Sequence, residues 1–266
     1  MSQPLISVIA PAYNAAAFYE GWLQSIEAQQ YESLEVLLVD DGSTDELPAM
    51  VKNAPGYLRY LRQENRGPAI ARNTALAAAT GELIAFLDLD DRWTPGHLSR
   101  LSRALTAEPQ AGIAQGLIRN VAPDSSGVPC FCSRTYRFIN LGASVFRRSV
   151  FDKAGLFDGV LRFAEDFDFM IRCWEQGIRK IDVDEVSLLY HRHEHNMTND
   201  MSPLDLGGVL IYKRRLDRMR AGRVDPKMPW RLGVGYPEYI GRSVFPFDEG
   251  FREPIASTPT LCAQHG

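Results

Sequence analysis

The chain has 266 residues, 45% of them apolar and 23% charged, which is the balance of an ordinary soluble globular protein with room for one large domain or two small ones. A net charge of −4 argues against broad electrostatic attraction to nucleic acid or anionic membrane, while leaving room for a local basic groove. Four cysteines (Cys130, Cys132, Cys173, Cys262) lack the density and spacing of a disulfide scaffold or zinc site, and Cys130-x-Cys132 reads as reduced thiols.

Met1-Ser2-Gln3-Pro4 leads straight into an apolar run with no charged leader, and no stretch approaches the about 18 apolar residues of a spanning helix, so a cytoplasmic protein is expected. Ile6 to Ala10 predicts a short buried strand, ended by Pro11-Ala12-Tyr13-Asn14. Asn14 is placed to cap a helix with Phe18, Trp22 and Ile26 on one stripe. Leu34 to Val39 predicts a second buried strand, ending in Asp40-Asp41-Gly42-Ser43-Thr44-Asp45, and Leu58 to Leu61 a weaker one. Asn65-Arg66-Gly67-Pro68 then precedes a helix over 69–80, with Pro68 in its first turn and Gly81 as its stop. Glu82 to Leu87 predicts a strand that runs into Asp88-Leu89-Asp90-Asp91. Thr94-Pro95 opens a helix with Leu98, Leu101 and Leu105 on its apolar face.

Beyond about residue 107 the pattern changes. Gly112 to Ile118 and Asn140 to Phe146 read as strands, with a Pro-, Ser- and Gly-rich loop over 120–132 between them. A short helix over 149–154, Gly155-Leu156-Phe157-Asp158, and a helix opened by Ala164-Glu165-Asp166 follow. Val183 to Tyr190 is strand-like and leads into His191-Arg192-His193-Glu194-His195-Asn196. Leu204 to Arg220 predicts a helix with one apolar and one strongly basic face; the basic face is either solvated or meets an anionic acceptor or membrane surface. Residues 222–266 hold Trp230, Tyr236, Tyr239, Phe245, Phe247 and Phe251, too aromatic for a free tail, and are expected to pack on the core or on a second subunit.

Strands alternating with helices imply βαβ units and a mostly parallel sheet, whose right-handed crossovers bring the ends after residues 10, 39 and 87 to one crevice. Three carboxylates within four residues repel one another there unless a hard divalent cation, Mg²⁺ or Mn²⁺, shares them with substrate phosphates. The competing explanation is a surface turn of solvated acids or a cap for the next helix. Glu165 and Asp166 admit the same kind of alternative, as acids favoured in a helix's first turn. The histidines of 191–195 are either a solvated loop or supply a metal or phosphate ligand.

Taken in order, the motifs resemble those of the family 2 glycosyltransferases, over roughly residues 5–198. Pro11-Ala12-Tyr13-Asn14, Val39-Asp40-Asp41-Gly42-Ser43-Thr44-Asp45, Asn65-Arg66-Gly67, Ala71-Arg72-Asn73, Gly81-Glu82 and Asp88-Leu89-Asp90-Asp91 (the family's DxD region) arrive in the family's sequence. Phe146-Arg147-Arg148, Gly155-Leu156-Phe157-Asp158, Glu165-Asp166 with Asp168 and Arg172, and Tyr190 with His193 and Asn196-Met197-Thr198 continue it. The resemblance implies a GT-A fold over 1–202, divided into a nucleotide-binding half (1–110) and an acceptor half (111–202), with residues 203–266 as an irregular C-terminal extension. It implies an inverting transferase using a nucleotide-diphosphate sugar, with UDP the commonest carrier, and Mn²⁺ or Mg²⁺ as cofactor. On that basis Pro11, Ala12, Tyr13, Asn14, Asp41, Arg72, Asp88 and Leu89 surround the nucleotide. Asp90 and His193 hold the metal, Asp166 is the general base, and Asp91, Trp93, Glu165 and Arg172 line the donor and acceptor pocket. His191 stands where the family commonly has an arginine, which leaves the assignment within 191–195 open. The acceptor is a glycan, a lipid-linked glycan, a peptide or a small molecule, and peripheral membrane contact and a homodimer through the extension are expectations. A sugar-phosphate nucleotidyltransferase and a non-catalytic nucleotide-binding module are the rivals. Asn196-Met197-Thr198 fits a glycosylation sequon that, without a secretory leader, is a chance match.

Overall fold

The computed structural model describes residues 3–161, 163–194, 196, 208–225, 235–241 and 251–255. Expectations for His195, Met197, Thr198, Leu204, Trp230, Phe245, Phe247 and Cys262 lie outside the described residues. The first half is built from β1 (Ile6–Ala12), α1 (Ala16–Glu27), β2 (Leu34–Asp40), the short α2 (Leu47–Met50), β3 (Leu58–Arg62), α3 (Pro68–Ala78), β4 (Leu83–Phe86), β5 (Arg92–Trp93) and α4 (His97–Ala107). The second half follows with β6 (Ala111–Pro123), β7 (Pro129–Phe131), β8 (Ser144–Arg147), α5 (Ser149–Ala154), α6 (Glu165–Glu175) and β9 (Arg179–His191). Then come α7 (Gly208–Arg220), α8 (Tyr236–Ile240) and β10 (Glu253–Pro254).

The strands form one sheet in the order β10-β7-β6-β8-β4-β1-β2-β3, with β9 pairing β6 and β5. Pairing is parallel among β4, β1, β2 and β3, and parallel again between β6 and β9. The contacts of β4 with β8, of β6 with β7 and β8, of β7 with β10 and of β5 with β9 are antiparallel. Strand direction is not written in apolar runs, because a buried antiparallel strand reads like a parallel one. The segment over 120–132, read as a loop, is in its larger part a hairpin of the β6 end and β7, and residues 141–143 form a 3-10 turn ahead of β8.

Side chains alternate between the two faces of the sheet. Val8, Val36, Leu38 and Ala85 join the core under α1 and α4, whereas Ile9, Leu37, Ile84 and Phe86 join the core under α3, α5 and α6. In the second core Phe86, Phe146, Phe151, Phe157 and Phe169 pack ring on ring at centroid separations of 4.8–6.3 Å, and so bind β4 to the elements of the second half. Each such pair is worth about 0.5–1.5 kcal/mol beyond the area it buries. Gly81 is required by space: a Cβ there would sit 2.7 Å from Ser7 N and 2.8 Å from Leu5 O.

The acid-rich end of β2 is mostly scaffolding. Asp40 is buried and accepts from Ser43 N (2.7 Å), Arg62 (2.7 Å) and the Tyr60 hydroxyl. Asn14, expected to cap α1, instead has φ 50° and accepts at Oδ1 from Thr44 N (2.8 Å), while its own N–H donates to Ser43 Oγ (2.9 Å). Asp45 does the capping, accepting from Ala16 N (2.8 Å) at the start of α1 and from Leu47 N (3.2 Å) at the start of α2. The swap follows from the turn after β1: with Asn14 left-handed its side chain points back to the β2 loop, and an acid from that loop reaches the free amides. Replacing Asp45 with Ala is expected to cost about 1–2 kcal/mol, measured as a lower urea midpoint at unchanged m-value.

Candidate active site

The ends of β1, β2 and β4 meet because the three strands are parallel neighbours, Ala12 opposite Asp40 and Ile9 opposite Phe86. Chain order reverses between β1 and β4, the position at which open α/β sheets form a ligand crevice. At the floor, Asp41 N donates to Ala12 O (2.7 Å), and Trp22 Nε1 donates to Leu87 O (3.0 Å) from beneath β4. Tyr13 and Asn14 stand exposed at the rim, Tyr13 at 53%.

Asp41 is buried and already engaged. Its carboxylate accepts from Gln63 Nε2 (2.7 Å), Arg66 N (3.0 Å) and Gly67 N (2.7 Å), and so fixes the loop that opens α3. Gln63 also accepts from the Thr74 hydroxyl (2.7 Å), a link that nothing in the sequence pattern announced.

From α3, Arg72 reaches the crevice, buried at 6% exposure. It donates to both oxygens of Asp88 (2.9 and 3.0 Å) and to Glu165, so that one guanidinium joins the end of β4 to the first turn of α6. Burial alone would lower its pKa, but Asp88 and Glu165 outweigh burial and keep it charged. Asp166 follows Glu165, half-buried, with Oδ1 accepting from Phe167 N (2.7 Å). Burial first, and the neighbouring Glu165 second, push its carboxyl up to about 7 against the opposing pull of Arg72. A carboxylate tuned to that range suits proton transfer at neutral pH.

The acid run after β4 is turned back on itself. Asp91 is followed directly by β5, which pairs with β9 at Arg92↔Leu189, and this brings the residues after β9 over the acids. His191 N donates to Asp91 Oδ1 (3.0 Å), and His193 Nε2 lies 3.1 Å from Asp90 Oδ2. The His193 ring also stacks on Phe18 at 5.0 Å, a partner the α1 apolar stripe did not suggest, and His193 N donates to Asn196 Oδ1 (2.6 Å). Of the two described histidines of 191–195, His193 faces the acids, while His191 is held by its backbone and is pushed down to about 4 by burial and Arg92. Asp90 is raised by burial and by Asp88, and Asp91 well above its usual value by burial, Asp90 and Asp88. Like charges held this close repel one another unless a cation or a proton offsets them. Among the described residues no three His, Cys, Asp or Glu side chains are spaced to enclose an ion. Asp90 and His193 fit instead the arrangement in which a protein supplies one or two ligands to Mg²⁺ or Mn²⁺ and substrate phosphates and water supply the rest.

Other expected site residues lie elsewhere. Leu89 is buried with its carbonyl accepting from Arg92 (2.8 Å). Trp93 is a core residue: it is 3% exposed, stacks on His97 at 4.5 Å and donates Nε1 to Gly142 O (2.7 Å), which leaves it no face toward a pocket. Arg172 donates to Asp168 (2.8 Å) and to the Ala154 carbonyl. Arg147 and Arg148 tie carbonyls of Ala111, Leu105 and Gly81, and Asn73 exchanges two hydrogen bonds with the Phe157 backbone (2.8 and 3.0 Å). Part of the basic face of α7 is turned to the core: Arg215 and Arg218 pair with buried Glu175 (3.2 and 2.7 Å), Arg218 with buried Asp168 (3.3 Å), and Arg214 with Asp158, while Lys213 and Arg220 are exposed. Cys130, Cys132 and Cys173 are free thiols.

Residues 7–153 match the family described as Glycosyl transferase family 2. The uncharacterized glycosyltransferase EpsJ of Bacillus subtilis (strain 168) is 28% identical over 217 residues, 73% of this chain and 63% of its own. The succinoglycan biosynthesis protein ExoU of Rhizobium meliloti (strain 1021) is 33% identical over 199 residues, 65% of this chain. The alignment spans 58% of ExoU, so the chain covers less than two thirds of either relative. Among solved structures, S. aureus TarS 1–349 in complex with UDP-GlcNAc superposes with a TM-score of 0.63 at 25% identity, over 78% of this chain and 65% of that one. The mannosyltransferase PcManGT from Pyrobaculum calidifontis in complex with GDP-Man and Mn²⁺ gives 0.63 at 23% identity, over 90% and 72%, a likeness of fold.

Removing the Arg72 side chain leaves Glu165 buried without its cation. Arg72→Ala is expected to cost about 3 kcal/mol in chemical denaturation, with Arg72→Lys recovering only part because one ammonium does not reach both acids as a fork does.

Proposed function

We infer the reaction from one premise: the chain belongs to glycosyl transferase family 2. The reading is a metal-assisted, inverting glycosyltransferase that moves a sugar from a nucleotide-diphosphate sugar, first of all a UDP-sugar, to an acceptor hydroxyl. The observation that carries it is Asp166, a carboxylate poised near neutrality at the head of α6 and joined through Glu165 and Arg72 to the acids of the nucleotide crevice.

In this reading Pro11, Ala12, Tyr13 and Asn14 shape the nucleobase end, with Tyr13 offering its exposed ring. Asp41 serves that end from a carboxylate locked in place by Gln63, Arg66 and Gly67. Asp88 and Arg72 face the ribose and diphosphate. Asp90 and His193 would hold a divalent ion, which would supply compensation for the negative charge that grows on the leaving diphosphate. The bond from the anomeric carbon to the phosphate oxygen breaks, and the nucleoside diphosphate leaves with the electron pair. The acceptor oxygen attacks from the opposite face, and Asp166 takes its proton. Inversion is favoured because the other carboxylate within reach, Glu165, is 7% exposed and bound by Arg72, a poor disposition for the nucleophile of a covalent route. A nucleotidyltransferase would release inorganic diphosphate in place of a nucleoside diphosphate, and product identity separates the two.

Calorimetric titration of UDP, GDP and dTDP with Mn²⁺ and then with EDTA tests the donor site. One nucleotide is expected to bind with metal dependence, weakened about tenfold or more in Asp90→Ala. Absence of any nucleotide binding would sink the donor assignment. Asp166→Asn is expected to lower kcat by about 10²- to 10⁴-fold with donor affinity kept, and unchanged turnover would remove Asp166 from the reaction. Because the base acts deprotonated, kcat/KM of the wild type is expected to fall with decreasing pH below about 7 and to level above it.

A further inference from the structure

A cavity of about 240 Å³ lies between α6, α7 and α8. Phe167, Ile171 and Trp174 of α6, Tyr212 and Arg215 of α7, and Tyr236 of α8 line it. The three α6 residues recur at four and three positions, one helical stripe that begins at the residue after Asp166. Tyr236 stands edge-on to Phe167 at 5.9 Å and to Trp174 at 5.4 Å, and the Arg215 guanidinium lies 5.4 Å from the Trp174 ring. The walls are thus aromatic and aliphatic, with a few polar groups, the composition of a small-molecule site.

One of those polar groups is unmet. The Tyr236 hydroxyl is buried and has no hydrogen-bond partner among the described residues. Buried polar atoms are usually satisfied, so an orphan at the wall of a cavity points to a ligand that would satisfy it. Burial raises its pKa, and the Asp166 charge is the next contributor, which puts the base and the orphan hydroxyl in electrostatic reach of each other.

We propose that this cavity is the acceptor subsite and that it takes one hexopyranosyl ring, the terminal sugar of a glycan, laid against Trp174 and Tyr236. The inference rests on Asp166 being the base. A pyranose has a C–H face that matches the aromatic walls and a hydroxyl rim that matches Tyr236 and Arg215. The volume is below the roughly 300–1,000 Å³ of pockets that take drug-sized ligands, which suits one ring and is short for a polyprenyl chain. An extended peptide would call for main-chain partners, whereas the polar side chains of these walls include two phenols and a guanidinium.

The test is saturation-transfer NMR of methyl glucopyranoside, galactopyranoside and mannopyranoside, and separately of farnesyl phosphate, on the wild type, Tyr236→Phe and Trp174→Phe, with UDP–Mn²⁺ calorimetry on the same samples. At least one hexoside is expected to receive saturation mainly on the C–H protons of one ring face. Tyr236→Phe is expected to weaken it about three- to tenfold while melting no lower than wild type, since the change removes an unmet hydroxyl. A purely structural Tyr236 would leave sugar binding alone. No transfer to any hexoside, equal transfer in all three proteins, or transfer to farnesyl phosphate in place of the sugars overturns the subsite. Sugar binding that responds to the variants in a protein that binds no nucleotide upholds the subsite and counts against the donor reading instead.

Discussion

The Arg72 guanidinium, shared between Asp88 and Glu165, is the contact on which the site depends. Five carboxylates (Asp88, Asp90, Asp91, Glu165 and Asp166) converge from two sequence regions more than seventy residues apart, and Arg72 is the cation that reaches both groups. Its fork pairs with two of the acids and leaves the others to crowd one another. Asp90, Asp91 and Asp166 are all raised, each by burial first and by a neighbouring acid next. The geometry thus divides the labour of otherwise similar side chains. Burial and mutual repulsion raise Asp90 and Asp91 after β4, and the carboxyl at the head of α6 is pushed up to about 7.

Around that contact, much of what looks like active-site sequence is carpentry. Asp40, Asp41, Ser43 and Asp45 spend their acceptors on strand ends, loop amides and helix starts. Arg147 and Arg148 tie down carbonyls, and Arg215 and Arg218 dock α7 on acids of α6. A crevice whose floor consists of loop backbone needs such ties, because the turns between β1 and α1 and between β2 and α2 have no ladder of their own to hold them.

The crevice itself was legible. Buried runs ending in acids at residues 40 and 88, alternating with helices, suffice to place three strand ends side by side. The direction of the later strands was not, since β6 and β8 carry the same apolar signal whichever way they run. Asn14 misled because it is a good cap in isolation; its left-handed backbone, set by Ser43 and Thr44 across the crevice, is a tertiary effect. Trp93 misled by adjacency, as an aromatic two residues past the acids that the strand alternation of β5 turns inward. His193 could be singled out only once β5 was seen to pair with β9, because the pairing and not the local sequence decides which histidine overhangs Asp90.

The sheet is continuous from β3 to β10, and β4 sits inside it with β1 on one side and β8 on the other. The strand that delivers the acids is therefore protected on one flank by residues 144–147, which come from the other half of the chain. A fragment ending near residue 110 would keep β1 to β4 and lose that cover, exposing the backbone of a short, wholly apolar strand as an open edge. Such an edge is a template for pairing with further chains. The second half thus covers, with β8, the edge of the first half's acid-bearing strand at which such pairing would start.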